Sequence, residues 1–117
     1  DGYIVVTAEY NHSMPAVLKS ALDLPYKQWN NKPIAYVSYG SAAGGSRAVE
    51  QLRLIAIEQQ MAPIRSAVHI KNIWEAFGED DKLKDEQNYQ HALVTLADQL
   101  VWWVNALTPA RKQITVS

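Results

Sequence analysis

Two runs, Tyr3-Ile4-Val5-Val6-Thr7 and Ile34-Ala35-Tyr36-Val37-Ser38-Tyr39, are apolar and β-rich without strict alternation. Strands that face water on one side alternate, so runs of this kind read as strands of a parallel sheet covered on both faces. Parallel strands need a crossover, and the residues between them supply one. The pattern predicts a helix from about Met14 to Leu24, with Ser13 as its N-cap and Pro15 in the first turn, ended by Pro25.

After the second run, the breaker Gly44-Gly45 precedes a helical stretch from Ser46 to about Met61, with Val49, Leu52, Ile55 and Ala56 at helical spacing. Ala67 to Ile70 reads as a weaker third strand. Asn72 to Glu86, with Gly78-Glu79-Asp80-Asp81-Lys82, has no period and reads as an exposed loop. A long helix then starts near Asp85, carries Leu93, Leu96, Leu100, Val104 and Leu107 on one stripe, and is expected to stop before Pro109. The expected organisation is one partial domain over 1–108 and a tail over 109–117. Of the adjacent Trp102 and Trp103, about 100° apart on a helix, at least one must leave the core stripe, to lie under a loop or in a subunit interface.

The order β-α-β-α-β-α argues a parallel, doubly wound α/β sheet with right-handed crossovers. Three strands are few for such a sheet, and the first would sit at an edge with its backbone groups unpaired. Something is expected to complete it.

Composition restricts the partners. The 117 residues are 48% apolar and 20% charged, which suits one packed domain, and the net charge of −1 offers no basic footprint for nucleic acid or an anionic membrane. There is no cysteine, which removes disulfides and thiolate chemistry and suits a reducing cytosol; the expected location is cytoplasmic. No apolar run approaches the ~20 residues of a membrane span.

Ligands of open parallel sheets bind beyond the carboxyl ends of the strands. Two loops lie there: Thr7-Ala8-Glu9-Tyr10-Asn11-His12-Ser13-Met14-Pro15 after the first strand and Tyr39-Gly40-Ser41-Ala42-Ala43-Gly44-Gly45-Ser46-Arg47 after the second. Asn11 reads either as a ligand contact or as the residue shaping a turn. Gly44-Gly45, opening a helix, offers free N–H groups or a flexible turn. Neither loop is a P-loop, and the glycines lack the spacing of the dinucleotide fingerprint.

The string from Thr7 to Pro15, followed by Val17-Leu18-Lys19-Ser20-Ala21-Leu22-Asp23, resembles the flavin loop of the NAD(P)H-dependent FMN reductases. Val37-Ser38-Tyr39-Gly40, followed by Gly44-Gly45-Ser46-Arg47-Ala48-Val49-Glu50-Gln51-Leu52-Arg53, resembles that family's next loop. Two positions depart from the pattern: Ala8 stands where a proline is usual, and His12 where glycine or an aromatic is frequent. The resemblance implies a flavodoxin-like fold, with the three strands of this chain corresponding to strands three to five. The first two strands and the loop that holds the FMN phosphate would lie outside this chain, in roughly 60 to 80 further residues.

The resemblance also implies FMN as cofactor and NAD(P)H as co-substrate. Ala8, Glu9, Tyr10, Asn11 and Ser13 would wrap the ring, Ser38, Tyr39 and Gly40 would line its pyrimidine side, and Arg47 would lie near the helix start. The implied reaction passes hydride from nicotinamide to flavin, then electrons to a quinone, azo compound, metal oxyanion or free flavin, with no catalytic side chain required. Members of the family are usually homodimers or homotetramers. The rival readings are a non-catalytic flavin protein for electron transfer or redox sensing, and a fragment serving as an interaction module.

Other chemistries find no support. His12, His69 and His91 lack metal-site spacing, and His69 reads as a packed strand histidine. No G-x-S-x-G elbow is present, and Glu79-Asp80-Asp81 reads as a solvated charge run.

Overall fold

A computed structural model describes residues 1–114; Thr115, Val116 and Ser117, the end of the expected tail, lie outside the described residues. Strand β1 (Tyr3–Ala8) leads through helix α1 (Ala16–Asp23) to β2 (Pro33–Tyr39), then through α2 (Ser46–Glu58) to β3 (Ala62–Ile70). A short 3-10 helix (Ile73–Glu75) and the long helix α3 (Glu86–Lys112) follow. The sheet is parallel throughout, in the order β1-β2-β3, so the expected α/β arrangement holds and β1 is an outer strand.

Strand periodicity sorts β2 onto two cores. Ile34 and Tyr36 join Leu22, Val49, Leu52, Ala56 and Met61 on the α1/α2 side, with Tyr3, Val5 and Trp29 packed against them. Ala35 joins Ile64, Val68, Leu96 and Leu100 on the α3 side, with Val37 and Trp103 packed beside them. The fully buried Val, Leu and Ile side chains among them contribute about 1.5–3 kcal/mol each. That double cover explains the missing alternation in β2. In β1 the cover is one-sided: Tyr3 and Val5 pack inward, while Ile4 and Val6 remain exposed.

Four expectations about the elements are corrected. β3 starts at Ala62, five residues before the expected Ala67, because helix side chains satisfy a stretch that breaks the apolar pattern. The β2–β3 register shifts between Ile34 and Tyr36, and there Arg53 donates to the carbonyls of Ile64 (2.5 Å) and Arg65 (3.1 Å), while the Gln99 amide oxygen accepts from Ser66 N–H (2.8 Å). Helix α3 continues through Pro109 to Lys112. Proline costs a helix most in its interior; this one falls in the last turns, where the following residues still close the helix.

Ser13 is not the N-cap of α1, which begins after Pro15 with no side-chain cap. Its hydroxyl instead donates to the Gln51 side-chain oxygen at 2.6 Å. The segment from Asn72 to Glu86 also has more order than its composition suggests: beyond the 3-10 turn, Phe77 bridges Leu83, and Lys84 N–H reaches the Ala76 carbonyl at 2.8 Å. Of the tryptophan pair, Trp103 packs on the α3-side core and Trp102 stays exposed, their rings edge to face at 5.4 Å.

Candidate flavin-binding cleft

The carboxyl ends of β1 and β2 open into a cleft of about 390 Å³. It is bounded by Ala8, Glu9, Tyr10, Asn11 and His12 from the first loop, Tyr39, Gly40 and Ser41 from the second, Arg47 from α2, and Ile73 and Trp74 from the 3-10 turn. Of the residues expected at the site, Ala8, Glu9, Tyr10, Asn11, Tyr39 and Gly40 come together here. Ser13 and Ser38 do not line it.

The first loop is built around a two-residue reversal. Tyr10 and Ser13 exchange both backbone hydrogen bonds (2.9 and 3.0 Å), with Asn11 (φ 51°) and His12 (φ 71°) at the centre. Positive φ at both central positions is what a type I′ turn requires, and asparagine tolerates it better than most residues. Gln51 on α2 clamps the turn, accepting from the Ser13 hydroxyl and donating to the His12 carbonyl at 2.9 Å. Among the described residues the backbone N–H of Asn11 finds no backbone acceptor.

Glu9 binds the first loop to the second. Its side chain is 5% exposed. Oε1 accepts from the N–H groups of Arg47 (3.0 Å) and Ala48 (3.2 Å), the first turn of α2, and Oε2 accepts from Arg47 Nε at 2.7 Å and pairs with Nη2. Helix α2 is preceded by left-handed Gly45 and has no local side-chain cap, so a carboxylate 38 residues upstream serves as one. Burial alone would raise the Glu9 pKa, but the Arg47 guanidinium and the two helix N–H groups together hold it below the usual carboxylate range. Arg47 Nη1 also reaches His12 Nε2 at 3.0 Å, which places the His12 ring proton on Nδ1.

Ser38 works beneath the second loop. It is fully buried, with its hydroxyl 2.7 Å from the Gly44 carbonyl and 2.7 Å from His69 Nδ1. Both bonds are satisfied if His69 donates and Ser38 passes its own proton to Gly44. Gly45 (φ 85°) approaches so closely that a Cβ there would stand 2.6 Å from that of Ser38. His69 is the packed histidine expected from its strand; burial, reinforced by the charges of Arg53 and Lys71, lowers its pKa.

The third loop closes the side of the cleft. Gly40 N–H donates to the Ile70 carbonyl (3.2 Å), Asn72 N–H to Ser41 (2.9 Å) and Ile73 N–H to Gly40 (3.0 Å). Trp74 is thereby brought to the rim with Tyr10 and Tyr39, all three rings exposed. Sequence reasoning placed His12 and Arg47 near the site without a role and missed Ser41, Ile73 and Trp74 as lining. The only signal for Trp74 was an aromatic residue soon after a strand end. The cleft combines the unpaired peptide N–H of Asn11 with aromatic surface, a combination that suits a planar heterocycle. Among the described residues no group of three or more His, Asp or Glu side chains could hold a metal ion, and no helix is long and apolar enough to cross a membrane.

Comparison with known proteins agrees with this architecture. The family model for NADPH-dependent FMN reductase matches residues 1–75, which carry both loops and Trp74. An NAD(P)H-dependent FMN reductase of Schizosaccharomyces pombe is 44% identical over 70 residues, 58% of this chain and 34% of that protein. A quinone reductase of Pseudomonas putida is 32% identical over 113 residues, 89% of this chain and 59% of the relative. FerB of Paracoccus denitrificans, a flavoenzyme NAD(P)H:(acceptor) oxidoreductase, shares the fold with a TM-score of 0.66 at 24% identity, covering 89% of this chain and 61% of FerB. The chain thus spans between a third and three fifths of the length of these relatives. With the family model matched across both cleft loops, the chain belongs to the NADPH-dependent FMN reductase family.

Proposed function

We propose that this chain supplies the flavin-ring face of an NAD(P)H-dependent FMN/quinone reductase. The observation that carries the proposal is the convergence of the Ala8–His12 and Tyr39–Ser41 loops on one cleft at the carboxyl ends of adjacent parallel strands. Its volume, about 390 Å³, falls within the range of small-molecule sites. Its donor set also fits a flavin: the unpaired N–H of Asn11 can meet the polar edge of the ring, and Tyr10 and Tyr39 offer aromatic cover. The one carboxylate bordering the cleft, Glu9, is held by Arg47 and the α2 N-terminus, so it is not free to oppose an electron-rich ring.

When bound, FMN supplies the redox chemistry, taking hydride from the nicotinamide and returning two electrons to the acceptor. The net reaction is NAD(P)H + H⁺ + quinone → NAD(P)⁺ + hydroquinone. The residues of this chain hold and orient. The Tyr10–Ser13 turn fixes the Asn11 amide, the Glu9–Arg47 pair fixes the spacing of the two loops, and the bond from Asn72 to Ser41 seats the third wall. No proton transfer is assigned to a side chain. The proposal concerns the ring site and not the phosphate.

Quinones are favoured as acceptors because relatives that match up to 89% of this chain are quinone reductases. A cytoplasmic homodimer or homotetramer completes the reading. The test is anaerobic addition of NADPH to the FMN-loaded protein. Bleaching of the flavin band, with recovery on adding quinone, is expected; a flavin that stays oxidised points to a non-catalytic flavin protein.

A further inference from the structure

We infer that Trp74 is the platform on which this site stacks its quinone acceptor. The inference rests on the reductase reading and adds the residue that selects the acceptor. Trp74 is 70% exposed, yet it borders the same cleft as Tyr10 and Tyr39. An indole left in water forfeits the burial that large aromatics normally gain, so its exposure at a cleft mouth marks surface available to a ligand.

The indole is carried on a fixed support. Its 3-10 turn is entered through Asn72 in the left-handed region (φ 45°, ψ 58°), which asparagine adopts more readily than most residues. The turn is held by Asn72 N–H on the Ser41 carbonyl and Ile73 N–H on the Gly40 carbonyl, with Glu75 and Ala76 closing it behind. The base of Trp74 is therefore tied to the same loop that borders the ring site.

The chemistry of the third wall separates it from the other two. The first loop leaves a peptide N–H unpaired, as the polar edge of a flavin requires. In the third, the amides of Asn72 and Ile73 are already consumed, and Ile73 and Trp74 border the cleft. Such a wall recognises a ligand by its flat apolar face. A quinone has that face; a hydrated complex ion such as ferricyanide does not.

The test compares the FMN-loaded protein with its Trp74→Ala and Trp74→Phe variants, using 1,4-naphthoquinone and ferricyanide as acceptors. Trp74→Ala is expected to raise the naphthoquinone KM about five- to tenfold, and the dissociation constant of naphthoquinone from the oxidised protein, read by perturbation of the flavin spectrum, by the same factor. The thermal midpoint should be unchanged, the loss for naphthoquinone should exceed any change in ferricyanide turnover or FMN content, and Trp74→Phe should restore most of the quinone binding. An unchanged naphthoquinone KM and dissociation constant overturn the inference, as does parallel loss of FMN or ferricyanide turnover, which would make Trp74 a cofactor contact or structural support. If the unsubstituted protein fails to reduce ferricyanide with NADPH, the reductase reading fails on its own. The equilibrium titration still decides the role of Trp74 in that case.

Discussion

The carboxylate of Glu9 caps the first turn of the helix that carries Arg47 while gripping the Arg47 guanidinium, so one side chain locks the two cleft loops together. Replacing Glu9 by Ala strands two helix N–H groups and the guanidinium. The expected loss is about 2–3 kcal/mol by chemical denaturation, below that of a fully buried pair because Arg47 keeps 42% exposure. Glu9→Gln retains the acceptor and should lose about half as much. A Glu9→Ala variant as stable as the parent would remove the cap from the fold.

Acid should loosen this link in a defined order. The Glu9 pKa lies below its ordinary value of 4.5, so between the two values the unfolded chain binds the proton that the folded chain refuses. The stabilisation is complete above pH 4.5 and is lost as pH falls through the folded pKa. His69, lowered from 6.5, follows the same sign and begins to weaken the fold at higher pH than Glu9 does. Denaturation midpoints measured against pH should fall below about 6.5, and Glu9→Gln should flatten only the part below about 4.5.

Most of the sheet was legible because burial leaves its mark on composition. β2, covered on both faces, is apolar at nearly every position, and α2 placed Val49, Leu52 and Ala56 inward as its period indicates. The start of β3 was not legible, because Pro63, Arg65 and Ser66 are tolerated there only through Arg53 and Gln99 on other elements. Glu9 as a helix cap was equally hidden, since its partners lie 38 and 39 residues away. The loop residues announced a site, but which of them face the cleft depends on tertiary bonds such as Ser38 to Gly44 and Ser13 to Gln51.

Gly45 tests how tightly the second loop is seated. An alanine there would keep φ at 85° and bring its Cβ against Ser38 at 2.6 Å. Gly45→Ala is expected to lower stability by at least about 2 kcal/mol, combining backbone strain with overpacking. Equal midpoints in thermal denaturation would show that the loop can give way.

Asn11 separates turn-making from ligand contact. If it serves through its positive φ, Asn11→Gly should leave stability and FMN affinity nearly unchanged, and Asn11→Ala should cost about 1 kcal/mol in stability. Calorimetry with FMN decides between them: a large loss of affinity in the glycine variant would make the Asn11 side chain a direct contact.

The central claim, that the two loops form a flavin-ring site, is tested most directly by an amide-resolved NMR titration of this chain with lumiflavin, which carries the ring without a phosphate. Shifts confined to Glu9, Tyr10, Asn11, His12, Tyr39, Gly40 and Ser41 are the expected result. No shifts at millimolar lumiflavin, or shifts centred on the separate cleft of Arg53, Arg65 and His69, would contradict it.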